Sequence, residues 1–190
     1  MKPIVILNGP PGSGKDTLAK LMAALGYASF SFKEPMFRIA EAMLGRTLFK
    51  EFMRRYNDRA LKEVEWDVIG CSPRQLMIKI SEDFVKPLLG QEAFGRLAAD
   101  DVFDRLYSGY SGCFEGAVFS DGGFPSEVGP LSEVPGCFVF VVHLYREGYT
   151  FEGDSRNYMP NPDLCVHLEE GNPMLAVNEI LDALSEQANG

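Results

Sequence analysis

A glycine-rich loop set between a short apolar run and an amphipathic stretch constrains this chain more than anything else in it. Ile4-Val5-Ile6-Leu7 is too brief for a helix and reads as a strand buried on both faces, the usual state of a central parallel strand. Gly9-Pro10-Pro11-Gly12-Ser13-Gly14-Lys15 follows, with the spacing G-x-x-x-x-G-K. In such a loop successive backbone N–H groups converge on phosphate oxygens, and a Cβ would block their approach. Lys15 adds a point charge for the β and γ phosphates, and the helix starting there aims the positive end of its dipole at them. Gly9, Pro10, Pro11, Gly12, Ser13, Gly14, Lys15, Asp16 and Thr17 are therefore expected to bind a nucleoside triphosphate. The competing reading is a bare Gly-rich turn, which gives no reason for the lysine.

The next position departs from the strict pattern, which places Ser or Thr there to hold Mg²⁺. Here it is Asp16, with the hydroxyl one residue later at Thr17. The metal is expected to lean on water, phosphate and a second carboxylate, so Asp16, Thr17 and Asp121 are its candidate ligands.

The 190 residues suggest one domain over 1–190, long enough to bury a sizeable core. With 46% hydrophobic and 12% aromatic residues, disorder is excluded as the general state. A formal charge of −9 is no global nucleic-acid footprint, although it leaves room for a local basic cleft. Cys71, Cys113, Cys137 and Cys165 are widely spaced and have no metal-ligand pattern with His143 or His167. Cys137 and Cys165 fall in expected strands and read as buried thiols. The N-terminus leads straight into a strand rather than a signal peptide, and no apolar run spans a membrane. The expected setting is the cytoplasm (the host's, if the chain is viral).

Leu18, Leu21, Met22 and Leu25 make the stripe of a helix over 17–25 that Gly26 ends. A second short strand is expected over 27–32. Pro35 suits the first turn of a helix running to Gly45. Lys33 and Arg38 flank its start, and each is either an anion ligand or a solvated charge. Residues 46–70 form a variable segment. Leu48, Phe49, Phe52 and Met53 hint at a helix, and Arg54, Arg55 and Arg59 among aromatics fit either a nucleic-acid contact or a solvated face. Ser72 and Pro73 open another helix as N-cap and first residue. Its apolar positions are 76, 77, 80, 84 and 88, and Pro87 is expected to end or kink it. A further helix covers about 92–106. Arg74, Lys86 and Arg96 are candidates to face a cleft, and Arg74 alone sits at a helix N-terminus.

Gly116-Ala117-Val118-Phe119-Ser120-Asp121 is a short apolar strand ending in an acid. Strand C-termini line the ligand crevice of open α/β sheets, so Asp121 is a candidate for metal positioning or acceptor activation, against the alternative of a turn aspartate. Cys137 to Leu144 is another buried strand, and 164–168 is the last one before an amphipathic closing helix. Between them, 145–162 carries glycine hinges with Arg146 and Arg156 and reads as a lid closing arginines over the transferring group. The fold class is α/β: a three-layer sandwich around a mainly parallel sheet, of the phosphate-loop nucleotide-kinase type with a lid. Loop, acid and lid together imply phosphoryl transfer, with Lys15, Asp121, Arg146 and Arg156 as the catalytic set.

Three further stretches resemble the phage deoxynucleoside monophosphate kinases of the thymidylate-kinase-like group. They are Phe30-Ser31-Phe32-Lys33-Glu34-Pro35, Ser72-Pro73-Arg74-Gln75-Leu76-Met77 and Pro162-Asp163-Leu164-Cys165-Val166-His167-Leu168. The Lys-x-Thr ending of the loop is also familiar among small nucleotide kinases. The resemblance rests on order and spacing across most of the chain. It implies ATP and Mg²⁺, Lys15 on the phosphates, Arg74 near the acceptor, and a homodimer as an open option. In that group an arginine closely follows the strand-end aspartate, where it is expected to grip the acceptor's phosphate. Here the residues are Asp121-Gly122-Gly123-Phe124. Losing a charge-assisted contact of that kind costs about 1.5–3 kcal/mol. The glycines are expected to leave room and Phe124 to offer a stacking face, so Lys33, Arg38, Arg74 and Phe124 are the candidate acceptor-binding residues.

This segment, with Arg146 and Asp154-Ser155-Arg156, resembles the 5-hydroxymethyl-deoxyuridine DNA kinases. That resemblance implies phosphorylation of the hydroxymethyl group of a modified base in phage DNA, a step toward hypermodified thymidine. The acceptor is then modified DNA, with a free deoxynucleotide as the alternative and a non-catalytic nucleotide-binding module as the third option.

Overall fold

The computed structural model describes residues 1–107, 113–122, 124–154 and 156–189. The chain divides into two units, Met1–Phe32 with Gly95–Gly190, and Lys33–Phe94.

The first unit is built on strands β1 (Lys2–Asn8), β2 (Tyr27–Phe30), β3 (Gly116–Phe119), β4 (Cys137–Tyr145) and β5 (Leu164–His167). All pair in parallel in the order β2-β3-β1-β4-β5. The apolar run that opens the chain is the central strand, and Ile4 through Leu7 are fully buried. Alternation along β1 separates two cores. Val5 and Leu7 pack with Leu18 and Met22 of α1 (Lys15–Ala24) and Val177 and Ile180 of the C-terminal helix Pro173–Asn189. Ile4 and Ile6 pack with Ala98, Val102 and Leu106 of the helix Ala93–Tyr107 and with Leu131. The result is the three-layer α/β arrangement read from the sequence, with every strand parallel.

Three local expectations change. The second strand stops at Phe30. Leu25 lies past the end of α1 and is exposed, and Ala19 takes its place in the buried stripe. Cys165 is exposed, because β5 is an edge strand with only Val166 turned into the core.

The second unit is helical. α2 (Glu34–Asn57) is broken at Gly45, whose φ of 70° no helix accommodates. Phe37 meets Tyr56 edge-on at 5.1 Å, whereas the 19 residue-to-residue steps from one to the other would span about 28 Å in a straight helix. The two halves therefore fold back on each other. Phe52 is fully buried between Phe49 and Tyr56. α3 (Pro73–Ile78) begins as expected, with Ser72 accepting from the Gln75 amide and Gln75 accepting from the Ser72 amide. The helix does not end at Pro87. It widens to π geometry over Lys79–Val85 and then continues as α4 (Lys86–Leu89). A proline lacks the N–H for the preceding turn and its ring crowds that turn's carbonyl, and a widened turn relieves both. The widening also changes the phase of the stripe, so Phe84 and Leu88 are exposed rather than buried.

Among the described residues no helix is long and apolar enough to cross a membrane.

Candidate functional site

The phosphate loop takes its shape from Gly12 at φ +78° and Gly14 at φ +111°, both left-handed, before α1. No side chain caps α1, and the Thr17 and Leu18 amides turn back onto the Gly14 carbonyl (3.0 and 3.1 Å). The Lys15 side chain is nearly buried and its Nζ donates to the carbonyls of Gly9 (2.6 Å) and Pro10 (2.7 Å). This folds the ammonium back over the loop instead of extending it into solvent. Ser13 is fully buried and its hydroxyl has no hydrogen-bond partner, an orphan that a phosphate oxygen would satisfy. Gly9, Pro10, Pro11 and Gly12 complete the loop, and a Cβ on Gly9 would stand 2.9 Å from the Leu144 carbonyl. These features fit a polyphosphate. Asp16 and Thr17 are exposed on the first turn of α1. Among the described residues no group of three or more His, Cys, Asp or Glu forms a metal cluster.

Asp121 follows β3 and is nearly buried. Its Oδ2 accepts from the Ser31 hydroxyl (2.7 Å) and its Oδ1 from the Phe32 amide (3.1 Å), which fixes the carboxylate across the ends of β2 and β3. Each oxygen keeps acceptor capacity. Gly122 does not open space for an acceptor as expected. Its φ is +39°, and a Cβ there would lie 2.6 Å from the Leu7 carbonyl and 2.9 Å from Asn8 Cα. The space is filled by the chain's own central strand. Gly123 lies outside the described residues. Phe124 is half-buried, and its amide donates to the buried Glu127 at the start of the short helix Pro125–Val128.

The lid segment is irregular and has two differently held halves. In the first, the Tyr149 ring lies against Gly12, close enough that a Cβ there would meet it at 2.9 Å. The Arg146 guanidinium stacks 4.7 Å from that ring and stands 3.9 Å from Glu170. Arg146 also lines a cavity of about 180 Å³ with Ser13, Gly14, Thr17, Leu168 and Glu170. In the second half, Arg156 is bound bidentately to Asp154 (3.0 and 2.9 Å) and donates to the Asp121 carbonyl (3.1 Å). Asp154 beside it raises the guanidinium pKa still further, with Asp121 and Glu127 adding to the effect. Ser155, between these partners, lies outside the described residues.

Asn8 was not singled out by the sequence reading. It is buried at the end of β1, where its Oδ1 accepts from the Met159 amide (2.9 Å) and its Nδ2 donates to the Asn157 carbonyl (3.3 Å). Tyr158, between them, donates to the Leu144 carbonyl (3.0 Å) and packs 4.7 Å from both His143 and Tyr145. The one available signal was a polar residue closing an apolar run directly before the loop. Ser31 and Asp154 entered the sequence reading only within the stretches that carry a resemblance, and Tyr149 carried no signal of its own.

The first unit thus brings together the loop, Lys15, Asp121, Phe124, Arg146 and Arg156. Lys33, Arg38 and Arg74 belong to the second unit. There Lys33 is half-buried before α2, Arg38 is exposed on it, and Arg74 is half-exposed on the first turn of α3, 3.4 Å from Glu63.

No protein-family model and no curated protein matches the sequence. Solved structures do match in shape. A dephospho-CoA kinase from Campylobacter jejuni is 13% identical with a TM-score of 0.52, and the match covers 98% of each chain. The protein TT1252 from Thermus thermophilus is 16% identical with a TM-score of 0.51, over 100% of this chain and 99% of that one. A hexameric APS kinase from Thiobacillus denitrificans is 14% identical with a TM-score of 0.46, and this chain spans 29% of its length. At these identities the two matches with TM-scores above 0.5 establish the fold alone, an α/β architecture around a parallel sheet.

Proposed function

We propose that this protein is an ATP-dependent phosphotransferase whose acceptor is the hydroxymethyl group of 5-hydroxymethyl-deoxyuridine in DNA. The observation that carries the transfer reading is the Lys15 ammonium held on the Gly9 and Pro10 carbonyls beside the orphaned Ser13 hydroxyl and the uncapped start of α1. Lys15, the loop amides, Ser13 and Thr17 would hold the triphosphate. Mg²⁺, on Asp16, Thr17 and Asp121, would neutralise phosphate charge. Asp121 accepts the proton of the attacking hydroxyl. The new P–O bond forms on the hydroxymethyl oxygen as the bond from the γ phosphorus to the β–γ bridging oxygen breaks. Arg146 is on the side of the loop where charge accumulates, and Tyr149 helps to exclude water.

The choice of a neutral hydroxyl over a terminal phosphate is supported by the charges at the strand end. Arg156 is already matched to Asp154, and Asp121 and Glu127 lie within its electrostatic reach. A phosphate dianion there would meet the Asp121 carboxylate and a guanidinium already matched to Asp154, whereas a hydroxyl would not be repelled. A base inside a duplex would be flipped or unpaired to reach Asp121.

The test is a competition assay with γ-labelled ATP, Mg²⁺, DNA containing 5-hydroxymethyluracil, unmodified DNA and a mixture of deoxynucleoside monophosphates. Label on the modified DNA alone is expected. Label on a free nucleotide alone would make this a nucleotide-pool kinase, and turnover that survives Lys15→Ala would remove the loop from the chemistry.

A further inference from the structure

The chain's charge is divided between its two units. Lys33–Phe94 carries 11 of the 18 basic residues and 10 of the 27 acidic ones, a net of +1, which leaves −10 on the remainder. Within the second unit the excess collects on the far half of α2, residues 46–57, where Arg46, Lys50, Arg54 and Arg55 stand against Glu51 alone. The C-terminal helix is the opposite case, with Glu179, Asp182 and Glu186 and no basic residue. Arg46, Lys50 and Arg54 recur every four residues, so they form one row with a rise of about 6 Å between neighbours. All three are exposed. The row is held rigidly: Phe52 anchors the helix in the unit's core, and Glu51 bonds both Arg54 (2.8 and 2.7 Å) and Arg55 (2.9 Å). Elsewhere in the unit Arg55 stands 5.2 Å from the Trp66 ring and Lys62 4.1 Å from that of Tyr56.

We infer that the row of Arg46, Lys50 and Arg54 is the docking surface for the phosphates of a nucleic-acid strand. The inference deepens the proposed function and rests on it for the identity of the strand. A polyanion approaching a chain of net −9 is repelled by most of it, and this face is where the repulsion reverses. Cations in register along a rigid element suit a sequence-tolerant contact with the phosphates of a strand.

The experiment uses the whole protein and a fluorescent single-stranded oligonucleotide carrying one 5-hydroxymethyluracil, with anisotropy read across a KCl series. With Glu51 holding Arg54, the two phosphate contacts of Arg46 and Lys50 predict a slope of log K against log salt of about −1.4. The double variant R46E/K50E, first checked for an unchanged melting temperature, should bind at least about tenfold more weakly at low salt, with that slope lost. Its transfer to free 5-hydroxymethyl-deoxyuridine should equal that of the parent. Equal DNA binding by the double variant would overturn the inference. So would conversion of a dimer to a monomer in sedimentation without a change in DNA binding, since the row would then bind the acidic face of a second copy. Salt-dependent binding through the row without phosphorylation of the oligonucleotide would leave the surface standing and remove the acceptor reading. Phosphorylation indifferent to the row would do the reverse.

Discussion

Asn8→Leu tests whether the stretch from Arg156 to Met159 is fixed to the strand ends. Leucine keeps the volume at this buried position but removes the acceptor of the Met159 amide and the donor to the Asn157 carbonyl. Met159 is 5% exposed, so its N–H is stranded away from water, a loss of about 1–3 kcal/mol. Asn157 is exposed, and its carbonyl exchanges the lost bond for water at little cost. The sum is about 2 kcal/mol, roughly a thirtyfold rise in the opening equilibrium of the segment. Tyr158 on Leu144 and Arg156 on Asp154 keep the ends tied, so the opening should stay local. Hydrogen exchange at the Met159 amide should accelerate by at least that factor, while the amides of Val142 and Leu144 in β4 keep their protection. In turnover, kcat should fall while KM for ATP holds, because Lys15 and the loop amides are untouched. Uniform acceleration across β1 and β4 would refute the local account. A raised KM for ATP at constant kcat would show that Asn8 acts through the adjoining loop instead.

Three further outcomes are expected. Gly122→Ala and Gly148→Ala both place a Cβ at positive φ, which costs about 1–2 kcal/mol, but only Gly122 has backbone 2.6 Å from that Cβ, whereas nothing lies within 4 Å at Gly148. Thermal melting should therefore separate the two variants, with Gly122→Ala much the less stable. Hydrogen bonding from Arg54, helped by Arg55, holds the exposed Glu51 carboxyl at about 2, so whatever stability it lends is complete above the ordinary value of 4.5 and fades as pH falls toward 2. An NMR titration of the Glu51 side chain should find that midpoint, and Arg54→Ala should raise it. Burial holds the His143 imidazole below its ordinary 6.5, so the unfolded chain takes up the proton first and stability falls as pH drops below 6.5. Denaturant unfolding at about pH 7.5 and about pH 5.5 should show that loss, and His143→Phe should shrink it.

What the sequence made legible was what local chemistry decides. Four apolar residues before a glycine loop had to be a central strand, Ser72 and Pro73 could only begin a helix well, and Gly45 had to interrupt one. What it hid depends on partners far away in the chain. Cys165 reads as a core residue until the sheet order puts β5 at an edge, and no local pattern encodes that order. Gly122 reads as room for a ligand until the Leu7 carbonyl is found in that room. Asn8 and Met159 are 151 positions apart, and each looks ordinary without the other. The same holds for Arg156. In sequence it is a lid arginine between glycines, and only the position of Asp154 and the Asp121 carbonyl turns it from a mobile cation into a strut. The stretch from Arg156 to Met159 is thereby tied to the ends of β1 and β3 through Asn8 and the Asp121 carbonyl, whereas the Tyr149 ring, with Arg146 stacked on it, lies against the loop. On the function proposed above, Arg146 is then the arginine for the transferring group and Arg156 a strut that holds the Asp121 backbone.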